Sequence, residues 1–358
     1  MLHSPFADSV ELAVLALGNV AGDSVALRDT VLRTGAVENI AEALKEHNRD
    51  DVPPSFAEHA TWALANMFKG KPAPSADVLK PAIPELARLA TDEHDQTAAN
   101  AIWALSFYTD GGEHVEDILE QNMLPGVVRL LDRGNEELSV PVSRLLANVS
   151  CGDEDATTAL LDTVTTHYAI GMLDSGNVTV RKEMCWMVAN VAAGTSAHVQ
   201  ALLDEQGLVQ KVISVALCAA EAPSVLTEAH YALANLVLCS NEEQLKQLVQ
   251  MEHFLRALCR NPTIDSDAST ALVQALVRVK SVLDKPGSFE AENRTFVTLL
   301  VESGADDTLR SLKDDPSLQS DIDSILSCLD PETKETTSTE ENPTKPPQTT
   351  SEFDDIDE

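Results

Sequence analysis

Asn19, Asn66, Asn148, Asn190 and Asn235 each lie four residues after a bulky side chain: Leu15, Trp62, Arg144, Trp186 and Tyr231. A sixth pair, Trp103 and Phe107, keeps the spacing with Phe in place of Asn. Residues four apart project from one helical face, one turn from each other. An Asn amide offers both donor and acceptor, so a row of them can hold an extended peptide backbone whatever its side chains. A row of indoles forms slots for the methylene stems of Lys or Arg, with cation–π attraction of about 0.5–2 kcal/mol each. Carboxylates beside such a row meet the cationic tips. The chemistry is that of a receptor for an extended basic peptide. All three tryptophans share one position of the pattern. Core packing asks for apolar residues there, not for Asn at a fixed phase, so the ladder reads as a groove rather than as core.

The elements that must carry this ladder repeat with it. ELAVLALGNVAGD from Glu11, EHATWALANMFKG from Glu58 and ANAIWALSFYTDG from Ala99 align with VPVSRLLANVSCG from Val140, RKEMCWMVANVAAG from Arg181 and TEAHYALANLVLC from Thr227. From Asn19 the intervals are 47, 41, 41, 42 and 45 residues, the period of HEAT and armadillo arrays. The stretch His114–Gly152 shows the layout. A short helix spans about 114–121, a turn Met123–Pro125, and a second helix starts at Gly126 and ends at Arg133-Gly134-Asn135. A longer helix runs from Glu136 to Val149. Three helices per period favour armadillo over the two-helix HEAT unit. Gly35, Gly126, Gly207 and Gly304 are expected in recurring turns. The predicted fold is all-α, a right-handed superhelical solenoid of armadillo repeats. About six repeats fill 1–260, and degenerate repeats and a cap fill 261–330. Within the latter a helix is expected over Ala268–Leu283, with Gln274 and Arg278 at the ladder positions, and further helices over Thr295–Leu312 and Leu318–Leu329. Residues 331–358 carry nine acidic residues against two lysines and almost no apolar content, which predicts a disordered acidic tail.

ALGNVAGDS, NMFKGKPAP, IWALSFYTDGG, RLLANVSCGD and KEMCWMVANVAAG resemble successive repeats of importin α, the karyopherin adaptor for nuclear localisation signals. The six segments are similar to that family's third to eighth repeats. The resemblance implies two grooves. In the major groove Trp62 and Asn66 match, as do Asn19 and Asp23, the latter as the acidic residue that takes a critical lysine; Leu15 stands where the family holds Trp. Trp103 matches the next repeat. The minor groove is implied by Arg144 and Asn148, Trp186 and Asn190, and Tyr231 and Asn235, with Glu183 and Glu228 three residues before their aromatic partners. On this resemblance the chain is an adaptor for basic nuclear localisation signal peptides, working in cytoplasm and nucleus, with an exportin met through the C-terminal repeats. The family's basic importin-β-binding segment and first two repeats have no counterpart, so importin β recruitment in the usual way is not expected. The alternative is an armadillo scaffold for other protein partners that has lost import activity with that segment.

Charge and composition narrow the remaining classes. With 58 Asp+Glu against 25 Lys+Arg the formal charge is −33, a field that repels phosphate and attracts basic proteins, so neither nucleic acid nor membrane is an expected partner. Aromatics are only 4% of residues, which suits closely packed helices. Six cysteines without a CxxC pair read as buried reduced thiols. There is no secretory signal and no apolar run long enough for a membrane helix. GxSxG, P-loop, HExxH and Gly-rich dinucleotide turns are absent, the nine histidines are scattered, and no cofactor or metal is expected. His59 and His230 lie beside ladder residues without a nucleophile at helical spacing.

Overall fold

The computed structural model describes residues 2, 4, 6–46, 55–163, 165–260, 266–284, 290–302, 305–311 and 318–327. They are helical throughout, with no strand among them. The tail from Pro331, Gly304 and Cys328 lie outside the described residues.

The chain divides into two compact units, Met1–Tyr168 and Ala169–Glu358. The first opens with α1 (Ala7–Asp23), a third helix by its ladder pair. A full triplet follows: α2 (Val25–Leu32), α3 (Ala36–Glu46) and α4 (Ser55–Phe68). The next is α5 (Ala76–Leu79) with a 3-10 turn to Ala82, α6 (Ile83–Leu89) and α7 (Asp95–Tyr108). Then come α8 (Val115–Leu119), α9 (Leu124–Arg129) with a 3-10 turn over Leu130–Arg133, and α10 (Glu136–Ser150). α11 (Glu154–Leu161) and α12 (Thr165–Met172) lead into the second unit. There α13 (Val178–Ala192) precedes α14 (Ser196–Asp204), α15 (Leu208–Leu217) and α16 (Pro223–Cys239). α17 (Glu242–Gln250), α18 (Phe254–Cys259) and α19 (Ser266–Leu283) repeat the triplet, and α20 (Glu290–Glu302), α21 (Ala305–Ser311) and α22 (Gln319–Leu326) close it. From α2 to α19 two shorter helices and a longer third one recur at every period, so the architecture is all-α and armadillo-like.

Local sequence sets these boundaries. Four first helices start at side-chain caps: Ser24 accepts from Leu27 N–H and Asp153 from Ala156 N–H, while Thr195 and Asn241 form capping boxes with His198 and Gln244. Third helices α10 and α13 start at Asn135 and Asn177. Gly35 and Gly207 take left-handed conformations at the expected turns (φ 74° and 95°). Gly126 does not mark a turn. It lies inside α9, where a Cβ would come within 2.5 Å of Thr91 Cγ2, so its glycine serves a close approach between repeats. The tight segment at Met123–Pro125 is accordingly the start of α9, with Pro125 in its first turn. Cys185 and Cys259 are buried as expected, whereas Cys218, just past the end of α15, is exposed.

Successive repeats are tied by polar contacts as well as by the Ala, Leu and Val core. In the second unit Arg181 of α13 grips Glu221 through two parallel bonds (Nε to Oε2 2.9 Å, Nη2 to Oε1 2.7 Å) and donates to Ser175 O. The guanidinium hydrogen bonds hold the Glu221 carboxyl below the usual carboxylate range, against the opposing effect of burial. A depressed carboxyl stabilises the fold above its unfolded pKa, near 4.5, and that stability is lost as pH falls through the lower folded value. Glu221→Gln should therefore cost about 1–3 kcal/mol at neutral pH. Urea unfolding of both proteins should show the difference shrinking at pH 3.5; an equal deficit at both values would contradict the assignment.

Candidate peptide-binding site

All six ladder pairs fall on third helices, where the sequence places them. Stacking of these helices gives the asparagines a use that spacing does not reveal. Asn66 Nδ2 donates to Gly18 O (3.4 Å), Asn148 Nδ2 to Ser106 O (2.8 Å) and Asn235 Nδ2 to Ala189 O (2.9 Å). In each case the acceptor is the residue just before the second ladder position of the preceding repeat. Asn at this phase is thus a staple between repeats, which corrects the inference that only a ligand requires it. Asn19 Nδ2 donates within its own helix, to Leu15 O (2.9 Å). Beyond the six pairs, Arg278 of α19 donates to Ser240 O.

The staple engages the amide nitrogen and leaves the oxygen. Asn148 Oδ1 and Asn235 Oδ1 are buried with no hydrogen-bond partner, and an orphaned buried acceptor costs about 1–3 kcal/mol.

The two units differ in how open their ladders are. In the first, Trp62, Asn66, Trp103 and Phe107 are half-buried and Asn19 and Asp23 are exposed. Arg144 and Asn148 are buried. In the second, Trp186 is 1% exposed, Tyr231 5%, and Glu183, Asn190, Glu228 and Asn235 are buried. Sequence alone makes the stretch from Arg144 to Asn235 look the more complete; the accessible indoles are instead those of Trp62 and Trp103. The Phe107 ring stacks on Trp103 (5.7 Å between centroids, 20° between planes), so one indole face is covered within the helix itself.

Residues that spacing did not single out shape this surface. A Cβ on Gly18 would lie 2.6 Å from Trp62 Cζ3, and one on Gly22 would lie 3.3 Å from the Asn66 amide. The two glycines let α1 and α4 approach and seat the second rung; the signal was in the sequence, as glycines within a helical pattern. Buried Arg28 of α2 donates to the carbonyls of Lys69 (2.8 Å), Gly70 (3.1 Å) and Pro72 (2.8 Å), fixing the loop after α4. Asp110, in the 3-10 turn after α7, has one carboxylate oxygen buried without a partner. Burial raises its pKa, with Lys71 and Arg144 pulling it partly back.

The histidines beside the ladder are engaged structurally. His59 Nδ1 and the Ser55 hydroxyl both meet Glu11 Oε1 (2.7 and 2.5 Å), linking α4 to α1. His230 Nδ1 donates to Leu226 O (2.7 Å), and desolvation lowers its pKa. His114, Glu116 and Asp117 bring donor atoms together, but Asp117 is already held by Tyr108 and Lys80 (2.6 Å each). Among the described residues no helix is long and apolar enough to cross a membrane.

This arrangement has recognisable kin. A HEAT-like repeat family model matches residues 54–108. The chain is 36% identical to importin subunit alpha-1b of Oryza sativa subsp. japonica over 163 residues, 45% of this chain and 30% of the rice protein. It is 40% identical to importin subunit alpha-2 of Arabidopsis thaliana over 132 residues, 37% of this chain and 24% of that protein. Its relatives are importin α subunits. The matched stretch is less than a third of their length. Among solved structures, a designed armadillo repeat protein in complex with peptide (KR)4 superposes with a TM-score of 0.57 at 24% identity, over 66% of this chain and 96% of that one. An engineered protein gives 0.65 at 22% identity over 92% and 86%. These likenesses establish the armadillo fold.

Gly18→Ala sets two effects against each other. Helix propensity gains up to about 1 kcal/mol, while a methyl forced against Trp62 and the Ala63 backbone costs about 1–3 kcal/mol. Overpacking should win: the variant melts at lower temperature and its tryptophan emission moves to the red. An unchanged spectrum with a higher midpoint would show that α1 and α4 do not pack as described.

Proposed function

We propose that the chain is a binding adaptor that takes up basic peptides in extended form along its ladder, with nuclear localisation signals as the natural class. The observation that carries this reading is the pair of half-buried indoles, Trp62 and Trp103, at one position of successive third helices in a chain of formal charge −33. Indole faces hold the stems of Lys and Arg, and the surrounding carboxylates favour their heads. Asn19 and Asp23 extend that surface on the first repeat. On the later repeats the corresponding residues are Arg144, Asn148, Glu183, Trp186, Asn190, Glu228, Tyr231 and Asn235, which are buried, so the reading rests on Trp62 and Trp103. Support comes from the importin α relatives and from the (KR)4 peptide bound by a designed protein of the same fold. The adaptor role carries with it work in cytoplasm and nucleus and, through the last repeats, an encounter with an exportin.

Binding of a fluorescein-labelled (KR)4 peptide, followed by anisotropy, tests this directly. Trp62→Ala and Trp103→Ala should each weaken binding about 3- to 30-fold, the range of one cation–π contact with its apolar area. Affinity should also fall steeply from 0.1 to 0.5 M salt as charge attraction is screened. Binding indifferent to both substitutions would place the peptide elsewhere on the protein.

A further inference from the structure

Asp110 and Lys71 form a pair that stacking does not need. Asp110 lies three residues after Phe107, at the end of the third helix that carries the Trp103 rung. Lys71 lies five residues after Asn66, in the loop that leaves the preceding third helix. Lys71 Nζ stands 4.0 Å from Asp110 Oδ2, with side chains 58% and 28% exposed, while Asp110 Oδ1 is buried and unpartnered.

Both groups are held where they are by rigid surroundings. Arg28 anchors the loop around Lys71 through three backbone carbonyls. The turn that carries Asp110 continues through Gly111 and Gly112, both at positive φ, and a Cβ on Gly112 would lie 2.7 Å from Cys151 O. Only glycine lets this turn press against the end of α10. A half-desolvated carboxylate with one unsatisfied oxygen is costly to keep; the charge of buried Arg144 offsets part of that cost, and the Lys71 ammonium at 4.0 Å, with most of its surface in water, adds little.

We propose that Asp110 receives a lysine or arginine head of a bound peptide, and that Lys71 is the resident counter-ion which that head displaces. The site takes a primary ammonium or a guanidinium at Oδ2, the oxygen that faces Lys71. Lys71 would thus set a threshold: a peptide engages this position only where its own cation makes the better bonds. This inference rests on the groove reading above and adds a competitor to it.

A double-mutant cycle on the full chain, with (KR)4 as the probe, separates the two. Lys71→Met should tighten binding about two- to fivefold, the range of an exposed ion pair. Asp110→Asn should weaken it roughly tenfold. In the Asp110→Asn background the gain from Lys71→Met should vanish, because the two act through one contact. Lys69→Met, the same charge change two residues away, should have a smaller effect. Circular dichroism melts of each variant establish that the fold is retained; Lys71 is exposed, so its variant carries the test even if Asp110→Asn unfolds. No gain from Lys71→Met, or a gain that persists with Asn at 110 as a general field effect would, overturns the proposal. If the wild type binds and Trp62→Ala weakens it while Lys71→Met is neutral, this inference alone fails. If the wild type does not bind (KR)4, the groove reading fails and this inference falls with it.

Discussion

One hydrogen bond underlies this molecule: the amide nitrogen of a third-helix Asn donating to a carbonyl of the third helix before it. It recurs from Asn66 to Gly18, from Asn148 to Ser106 and from Asn235 to Ala189. Helix-to-helix packing of Ala, Leu and Val is non-directional and tolerates sliding, whereas a buried amide-to-carbonyl bond fixes register. It also consumes a carbonyl that its own helix already uses, which requires the two helices to lie close. Small residues at the contact meet that requirement, as Gly18 does against Trp62.

The same residue then has two faces. Its nitrogen is committed to the stack, and in Asn148 and Asn235 its oxygen is buried without a partner. Where Phe107 replaces Asn, the staple and the acceptor are lost together, and the ring instead stacks on Trp103. The turn that follows carries Asp110.

Much of the fold was legible before any coordinates. A period of 41–47 residues, Gly and Asn at turns and a long third helix specify three-helix repeats, because each repeat can bury its apolar faces only against its neighbours. The ladder was legible too, since residues four apart must share a helical face. Less visible was what Asn does there. Its acceptor, a backbone carbonyl more than 40 residues away, leaves no mark in residue type, and neither does the Arg28 clamp on the loop after α4. Gly126 misled for a related reason: glycine signals a turn or a close approach, and only Thr91 above it decides between them.

Accessibility was the other gap. By residue type Trp186 and Tyr231 look like rungs equal to or better than Trp62 and Trp103, yet the first two are almost fully buried and the latter two half-open. The sequence by itself determined the repeat, the helices and which residues share the ladder face, because these depend on local periodicity and on the chain's apolar pattern. Only the tertiary structure decided which rungs meet solvent, which Asn atoms are already engaged and that Lys71 stands at Asp110. Those depend on distances between residues tens of positions apart, set by packing that no local pattern encodes.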